Sequence, residues 1–280
     1  MADARTRNAD VEDAGARRAG PPRQQITLRS RAFAVLFYVV TALFLIFGSP
    51  LLFGPRSWAM AGLRAHARAI LLLLRVVAGT TYDVRGREHL PRGAALVVAK
   101  HQSAWETMAL IPLLRDPAIV LKAELARIPL YGWFCVKFEH ILVRRERAAV
   151  ALRQMVATAR DRAAEGREIL IFPEGTRTDV GAAPNYKPGF VALYDGLDLP
   201  LVPLALNSGV FWPPRASHAF PGTIVVEVLP PIPPGRPRKE IRADVQQQIE
   251  TATAALVAEA EAERRRTDGT ASNDQQSRSK

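Results

Sequence analysis

A single cysteine, Cys135, in 280 residues removes both a disulfide framework and any multi-cysteine metal centre. It sits in Trp133-Phe134-Cys135-Val136, whose apolar surroundings would raise its pKa, so it reads as a buried structural thiol and not a nucleophile. Acidic residues are scarce beside basic ones: 27 Asp and Glu against 38 Lys and Arg, a net charge of +11. That excess favours anionic partners, whether nucleic acid, anionic lipid or a phosphorylated substrate. Nucleic acid is the weakest of the three, because the chain lacks zinc-finger spacing, a basic region with heptads and an aromatic RNA-binding signature. No HExxH is present and no second His lies at helical spacing from His101, which argues against a catalytic metal. There is no internal repeat.

What the chain does have is apolar content of 48%, enough for a full core in one domain of the larger sort. Residues 1–28 and 267–280 are polar, lack apolar periodicity and read as disordered tails. Ala32 to Gly54 carries no charge over 23 positions, and about 20 apolar residues suffice to cross a hydrocarbon core. Gly48-Ser49-Pro50 interrupts the run, so a helix is expected to end near Phe47. The next stretch, 58–78, is apolar but carries Arg64, His66, Arg68 and Arg75, and it reads as amphipathic, its cations snorkelling to headgroups. Basic residues flank the first segment on both sides (Arg23, Arg29 and Arg31, then Arg56 and Arg64). A re-entrant hairpin or a single span both accommodate that symmetry. Residues 29–80 are thus expected to be membrane-anchoring helices.

The globular part, 81–266, alternates short apolar strands with helices. Strands are expected at 82–85, 94–99, 118–122, 141–143, 168–172, 201–206 and 223–229. Helices are expected at 103–114, 147–164, 188–196 and 240–266, with a Pro-rich strap at 230–237. The pattern predicts an α/β fold, a mostly parallel central sheet flanked by helices.

Two segments carry chemistry. Lys100-His101-Gln102-Ser103-Ala104-Trp105-Glu106 follows an apolar strand and opens a helix. On a straight helix five positions leave two side chains some 140° apart, by about 3.6 residues per turn. His101 and Glu106 therefore meet only if His101 precedes the helix and the chain curls back, which Ser103 as N-cap allows. Glu106 would then set the imidazole tautomer and leave the other nitrogen as a base. Taken alone, the spacing describes a helix-capping histidine and an exposed glutamate more often than a site. Phe172-Pro173-Glu174-Gly175-Thr176-Arg177-Thr178 also follows a strand. Pro stiffens the backbone, Gly permits a tight turn beside a ligand, and Arg177 can hold a phosphate bidentately. His66, His89, His140 and His218 stand in no such context.

Together these segments resemble the glycerolipid acyltransferases, in particular the bacterial 1-acyl-sn-glycerol-3-phosphate acyltransferases. The four blocks of that family fall in order on His101 to Glu106, on Ile141-Leu142-Val143-Arg144-Arg145, on Phe172 to Arg177 and on Val202-Pro203-Leu204. Leu121-Lys122-Ala123-Glu124-Leu125 with Ile128-Pro129, and Tyr186-Lys187-Pro188-Gly189, add to the likeness, which covers about residues 80 to 230. Glu106 stands where the family usually has Asp, and Arg144 where an Asp usually precedes the arginine of the second block.

The resemblance implies transfer of a fatty acyl group from an acyl-carrier protein or coenzyme A thioester to the sn-2 hydroxyl of a lysophosphatidate. It implies His101 as base and Glu106 as its orienter, without an acyl-enzyme. Lys122, Arg145 and Arg177 become candidates for the acceptor phosphate. Glu174, with Gly175 and Thr176, would position the glycerol or the arginine. Neither cofactor nor metal is implied. The expected location is the bacterial inner membrane, with the active domain on the cytoplasmic face against anionic lipid, and no nucleic acid is involved. The alternatives are the same chemistry on another lysolipid, such as a lyso-aminolipid, and a non-catalytic membrane scaffold.

Overall fold

The computed structural model describes the backbone of residues 26–144 and 148–278, and the side chains of 26–144 and 149–266. Seven strands, β1 Thr80–Arg85, β2 Leu96–Ala99, β3 Ala118–Lys122, β4 Ile141–Val143, β5 Ile169–Ile171, β6 Leu201–Leu206 and β7 Gly222–Val228, form one sheet. Its order is β1-β7-β6-β2-β5-β3-β4, and every neighbouring pair is parallel except β6 with β7. The strands read from sequence as 118–122, 141–143 and 201–206 coincide with β3, β4 and β6. The central strands are apolar along their whole length because helices cover both faces.

The helices are α1 Leu28–Phe47, α2 Arg56–Leu73, α3 Trp105–Leu113, α4 Tyr131–Lys137, α5 Ala148–Ala164, α6 Gly189–Leu197, α7 Ser208–Phe211 and α8 Arg238–Arg278. Successive residues of a strand point to opposite faces. Val97 and Ala99 of β2 accordingly join the core built with α2 and α3, whereas Leu96 and Val98 join the core built with α5, α6 and α8.

Helix α1 begins at Thr27, whose hydroxyl accepts from the Ser30 amide at 3.2 Å, and stops at Gly48, where the Gly48-Ser49-Pro50 break was expected. It is long and apolar enough to cross a membrane, with mean hydropathy 2.1, yet only 11% of that window is buried. Phe33 and Phe37 pack edge-on against Trp212, at 5.1 and 5.3 Å between ring centres, and fasten the base of the helix to the domain.

Helix α2 departs from the expectation of a helix whose cations reach for lipid. Arg56 makes a bidentate pair with Asp116, 2.9 and 2.6 Å, and Arg64 donates to the Arg115 carbonyl. Acceptors at the end of α3 lie within reach, so these two cations bind the helix to the globular part; Arg68 and Arg75 remain exposed. Helix α4, the short α7 and the 3-10 turn Ala123–Arg127 were not anticipated from sequence. Helix α8 starts two residues before the expected 240 and runs to Arg278, past the point where the sequence is read as a tail.

Candidate active site

Strands β6, β2, β5 and β3 are neighbours and run parallel, so their carboxyl ends finish along one edge of the sheet. In open α/β sheets such an edge is where ligands bind. It receives Ser208 after β6, Lys100 and His101 after β2, Pro173 to Arg177 after β5, and Lys122 at the end of β3. That adjacency brings together two blocks some seventy residues apart.

His101 lies before α3, and Glu106 lies in the helix's first turn and reaches back. His101 Nδ1 donates to Glu106 Oε1 at 2.8 Å. The same oxygen accepts from the Gln102 and Ser103 amides, each at 2.6 Å, and Oε2 accepts from the Ser208 hydroxyl at 2.8 Å. Glu106 is completely buried. Four donors converge on it, so the carboxylate acts as acceptor throughout and Nδ1 carries the proton. Nε2 is thereby left as the basic nitrogen. The N-cap of α3 is Ala104, without a side-chain cap bond, and not the expected Ser103; Ser103 Oγ, one residue earlier, accepts from the Trp105 amide at 3.1 Å and turns the chain into the helix.

The imidazole lies flat on Phe172, ring centres 4.2 Å apart and planes 20° off parallel. Thr178 ties the Phe172–Thr178 segment to the Lys100–Glu106 segment: its amide and hydroxyl donate to the His101 carbonyl at 2.9 and 3.1 Å. Between them Gly175 sits at φ +66°, where a side chain would be strained. Thr176 and Arg177 are exposed beside it, as are Lys122 and Arg144. Arg145 lies outside the described residues.

Glu174 differs from expectation. Instead of reaching toward substrate or Arg177 it turns into the protein, 3% exposed, with Oε1 3.1 Å from Lys100 Nζ. Lys100 has the parity of Leu96 and Val98, so it projects to the α8 face. There Glu250 of α8 accepts from it at 2.6 Å and from the Tyr186 hydroxyl at 3.0 Å. Burial pushes the Glu174 carboxyl above the usual range, with Lys100 opposing that push. Sequence reasoning missed Lys100, Ser208 and Glu250. A lysine closing an apolar strand was the signal for the first, because a cation there must find a buried partner; the other two left none.

The edge opens into a cavity of about 1050 Å³, at the upper end for small-molecule sites. Its polar end carries His101, Lys122, Arg144, Arg177 and Lys187. Its walls are apolar and come from α1, α2, α3 and α4, with Phe44, Leu63, Met108 and Phe134 among them. Cys135 is in this wall; burial drives its thiol up to about 11, as befits a structural residue. No group of His, Cys, Asp and Glu among the described residues could hold a metal ion.

The sheet, parallel except for β6 with β7, thus carries a histidine–carboxylate pair at one edge and a largely apolar cavity beside it. Residues 81–207 match the family model described as Acyltransferase. The chain is 35% identical over 207 residues to the 1-acyl-sn-glycerol-3-phosphate acyltransferase of Pseudomonas aeruginosa, covering 70% of this chain and 79% of that one. It is 28% identical to the human 1-acyl-sn-glycerol-3-phosphate acyltransferase alpha, over 59% and 60% of the two chains. The fold is shared with the crystal structure of the 1-acyl-sn-glycerophosphate acyltransferase PlsC from Thermotoga maritima, with a TM-score of 0.69, 20% identity and coverage of 81% and 96%. The chain belongs to the 1-acyl-sn-glycerol-3-phosphate acyltransferase family.

Proposed function

We propose that this chain transfers a fatty acyl group from a thioester to the sn-2 hydroxyl of 1-acyl-sn-glycerol 3-phosphate, forming phosphatidate. The observation that carries this reading is the His101–Glu106 pair at 2.8 Å, set at the polar end of an apolar cavity among Lys122, Arg144 and Arg177. His101 Nε2 takes the proton of the acceptor hydroxyl as its oxygen attacks the thioester carbonyl. Glu106 stabilises the imidazolium that forms. The tetrahedral adduct collapses, the carbon–sulfur bond breaks, and the thiolate leaves with the proton returned by Nε2. No acyl-enzyme is required, and the reaction as written calls for no cofactor. The cations would hold the acceptor phosphate and the cavity wall would hold an acyl chain. Acyl-carrier protein and coenzyme A both supply a suitable thioester. The apolar α1 would seat the enzyme in the inner membrane with this edge on the cytoplasmic side, where anionic lipids gather against the basic chain.

General-base catalysis contributes about 10²–10⁴-fold, and the remainder must come from holding two lipids in register. The test is acyl transfer by purified wild-type and His101→Ala protein over a panel of lysolipid acceptors. Loss of transfer in a variant that melts like wild type, with lysophosphatidate preferred, is the expected result. Retained turnover refutes the base. Preference for an acceptor without a phosphate monoester moves the assignment to another lysolipid, a shift that Arg144 in the second block makes worth testing.

A further inference from the structure

Helix α4 has two faces that do different things. Tyr131, Phe134, Cys135 and Phe138 point inward and line the cavity that ends at His101. Trp133 and Val136, one turn apart, point outward and are 57% and 58% exposed; Ile128, just ahead of the helix, is 47% exposed. A soluble surface commonly carries single apolar residues, but a tryptophan, a valine and an isoleucine grouped on one short segment over an apolar cavity call for a covering.

Continuity says what covers them. The inward side of α4 packs with the turn between α1 and α2, since Phe134 and Phe138 share one cluster with Ala59, Met60, Leu51 and Leu52. That turn exposes Phe53 at 92% and the first turn of α2 exposes Trp58 at 61%, next to the exposed flank of a helix apolar enough to cross a membrane. The charges fit the same surface. Lys122 and Arg127 are exposed on the segment, Lys137 is partly exposed, and Glu124 is its one exposed acid. Tryptophan with flanking cations is the make-up of a segment lying at a lipid headgroup boundary.

The backbone holds the helix in this place at some cost. Leu130 adopts φ +60°, unusual for a residue with a branched side chain, and a Cβ on Gly132 would stand 2.1 Å from the Ala126 carbonyl oxygen. The strain turns the chain sharply after Pro129, so that Trp133 is presented outward while Phe134 goes in.

We infer that the outer face of α4, Ile128, Trp133 and Val136, is a second bilayer contact apart from the N-terminal hairpin, seating the cavity wall in the headgroup region of an anionic membrane. This deepens the reading of a membrane enzyme drawing its acceptor from lipid. An acyl chain could then pass between bilayer and cavity beside α4 without crossing water.

The test uses the full chain in a Cys135→Ser background, reconstituted in vesicles of equal parts phosphatidylcholine and phosphatidylglycerol. An environment-sensitive fluorophore is placed in turn at Val136→Cys, at Phe53→Cys on the hairpin turn, and at Gln154→Cys on the exposed side of α5. Brominated lipid should quench the labels at 136 and 53 and leave that at 154 bright. An unquenched label at 136 with a quenched one at 53 overturns the inference while leaving the hairpin's membrane seat intact. Quenching at 136 without quenching at 53 supports it and removes the hairpin reading instead. If the label at 136 responds to an acidic acyl-carrier protein and not to vesicles, the face belongs to a protein partner and the inference fails. In activity, Trp133→Glu should raise KM roughly tenfold for a long-chain acceptor embedded in vesicles and leave kcat/KM for a freely soluble short-chain acceptor unchanged. Equal loss on both acceptors would mean the residue only supports the fold.

Discussion

Lys100 Nζ and Glu250 Oε1 lie 2.6 Å apart across 150 residues of sequence. The contact fastens the C-terminal helix to the residue immediately before His101, and through Lys100 to Glu174 of the Phe172–Arg177 segment. An ammonium 4% exposed between two carboxylates is stable only because both partners are present. Lys100→Met should therefore cost about 3–5 kcal/mol at neutral pH, read as a lowered melting temperature. Adding Glu174→Gln should recover part of that, because the buried carboxylate is then neutral. Additive losses in the double variant would show that the two side chains are not coupled.

Glu106 can be probed by charge and by length. In Glu106→Gln the amide keeps the shape but carries only one acceptor atom for donors that now meet two, and it no longer stabilises an imidazolium. The expected drop in kcat is about 10²–10⁴-fold with little change in KM. Glu106→Asp shortens the reach from α3 and should retain more activity than the amide, while Ser208→Ala removes one of four donors and should cost least. Steady-state kinetics on the three variants gives the ranking; an amide variant as active as wild type would remove Glu106 from the mechanism.

His140 makes a prediction about pH. It accepts from the Ile119 amide through Nδ1 at 3.3 Å and is held neutral, its pKa pushed down to about 3, mainly by burial and secondly by Arg167. The unfolded chain binds a proton here from about 6.5 downward, and the folded chain does not until about 3. The stability linked to this residue is complete above the unfolded value and is lost as pH falls between the two. The slope approaches about 1.4 kcal/mol per pH unit for one proton. Denaturant unfolding at pH 7 and pH 5 should show a smaller difference in His140→Asn than in wild type. An unchanged difference would mean the ring is protonated in the folded protein.

Ala59 lies in the wall of the cavity and is 1% exposed, packed with Met60 and Phe134. Ala59→Phe puts a ring into space an acyl chain would use. Competition between long and short thioesters should shift toward the short one, with transfer of the short chain largely preserved. A uniform loss across chain lengths would place the acyl group elsewhere.

Much of the fold was legible because strand and helix periods are local. The apolar strands 118–122 and 201–206, bounded by turns, could hardly be anything else, and the break at Gly48-Ser49-Pro50 stops α1 within a residue of where it must. Helix α4 was not legible: seven residues give too few turns for a 3.6-residue pattern, and a glycine and a preceding proline read as a loop. Its place depends on Gly132 passing tightly against Ala126, a contact between backbones that side-chain periodicity does not encode.

By itself the sequence determined the two local segments from which the candidate site is built. A histidine and an acid five positions apart at a strand-to-helix junction, and an Arg-bearing turn after another strand, are local arrangements set by turn geometry and hydrophobic pattern. Only the tertiary structure decided that β2 and β5 are neighbours, that Glu174 faces inward to Lys100, that Ser208 donates to Glu106, and that Glu250 accepts from Lys100. Those contacts join residues about 75 to 150 positions apart, and their pairing is set by sheet order and by where a buried charge can find its opposite, neither of which has a period in the chain.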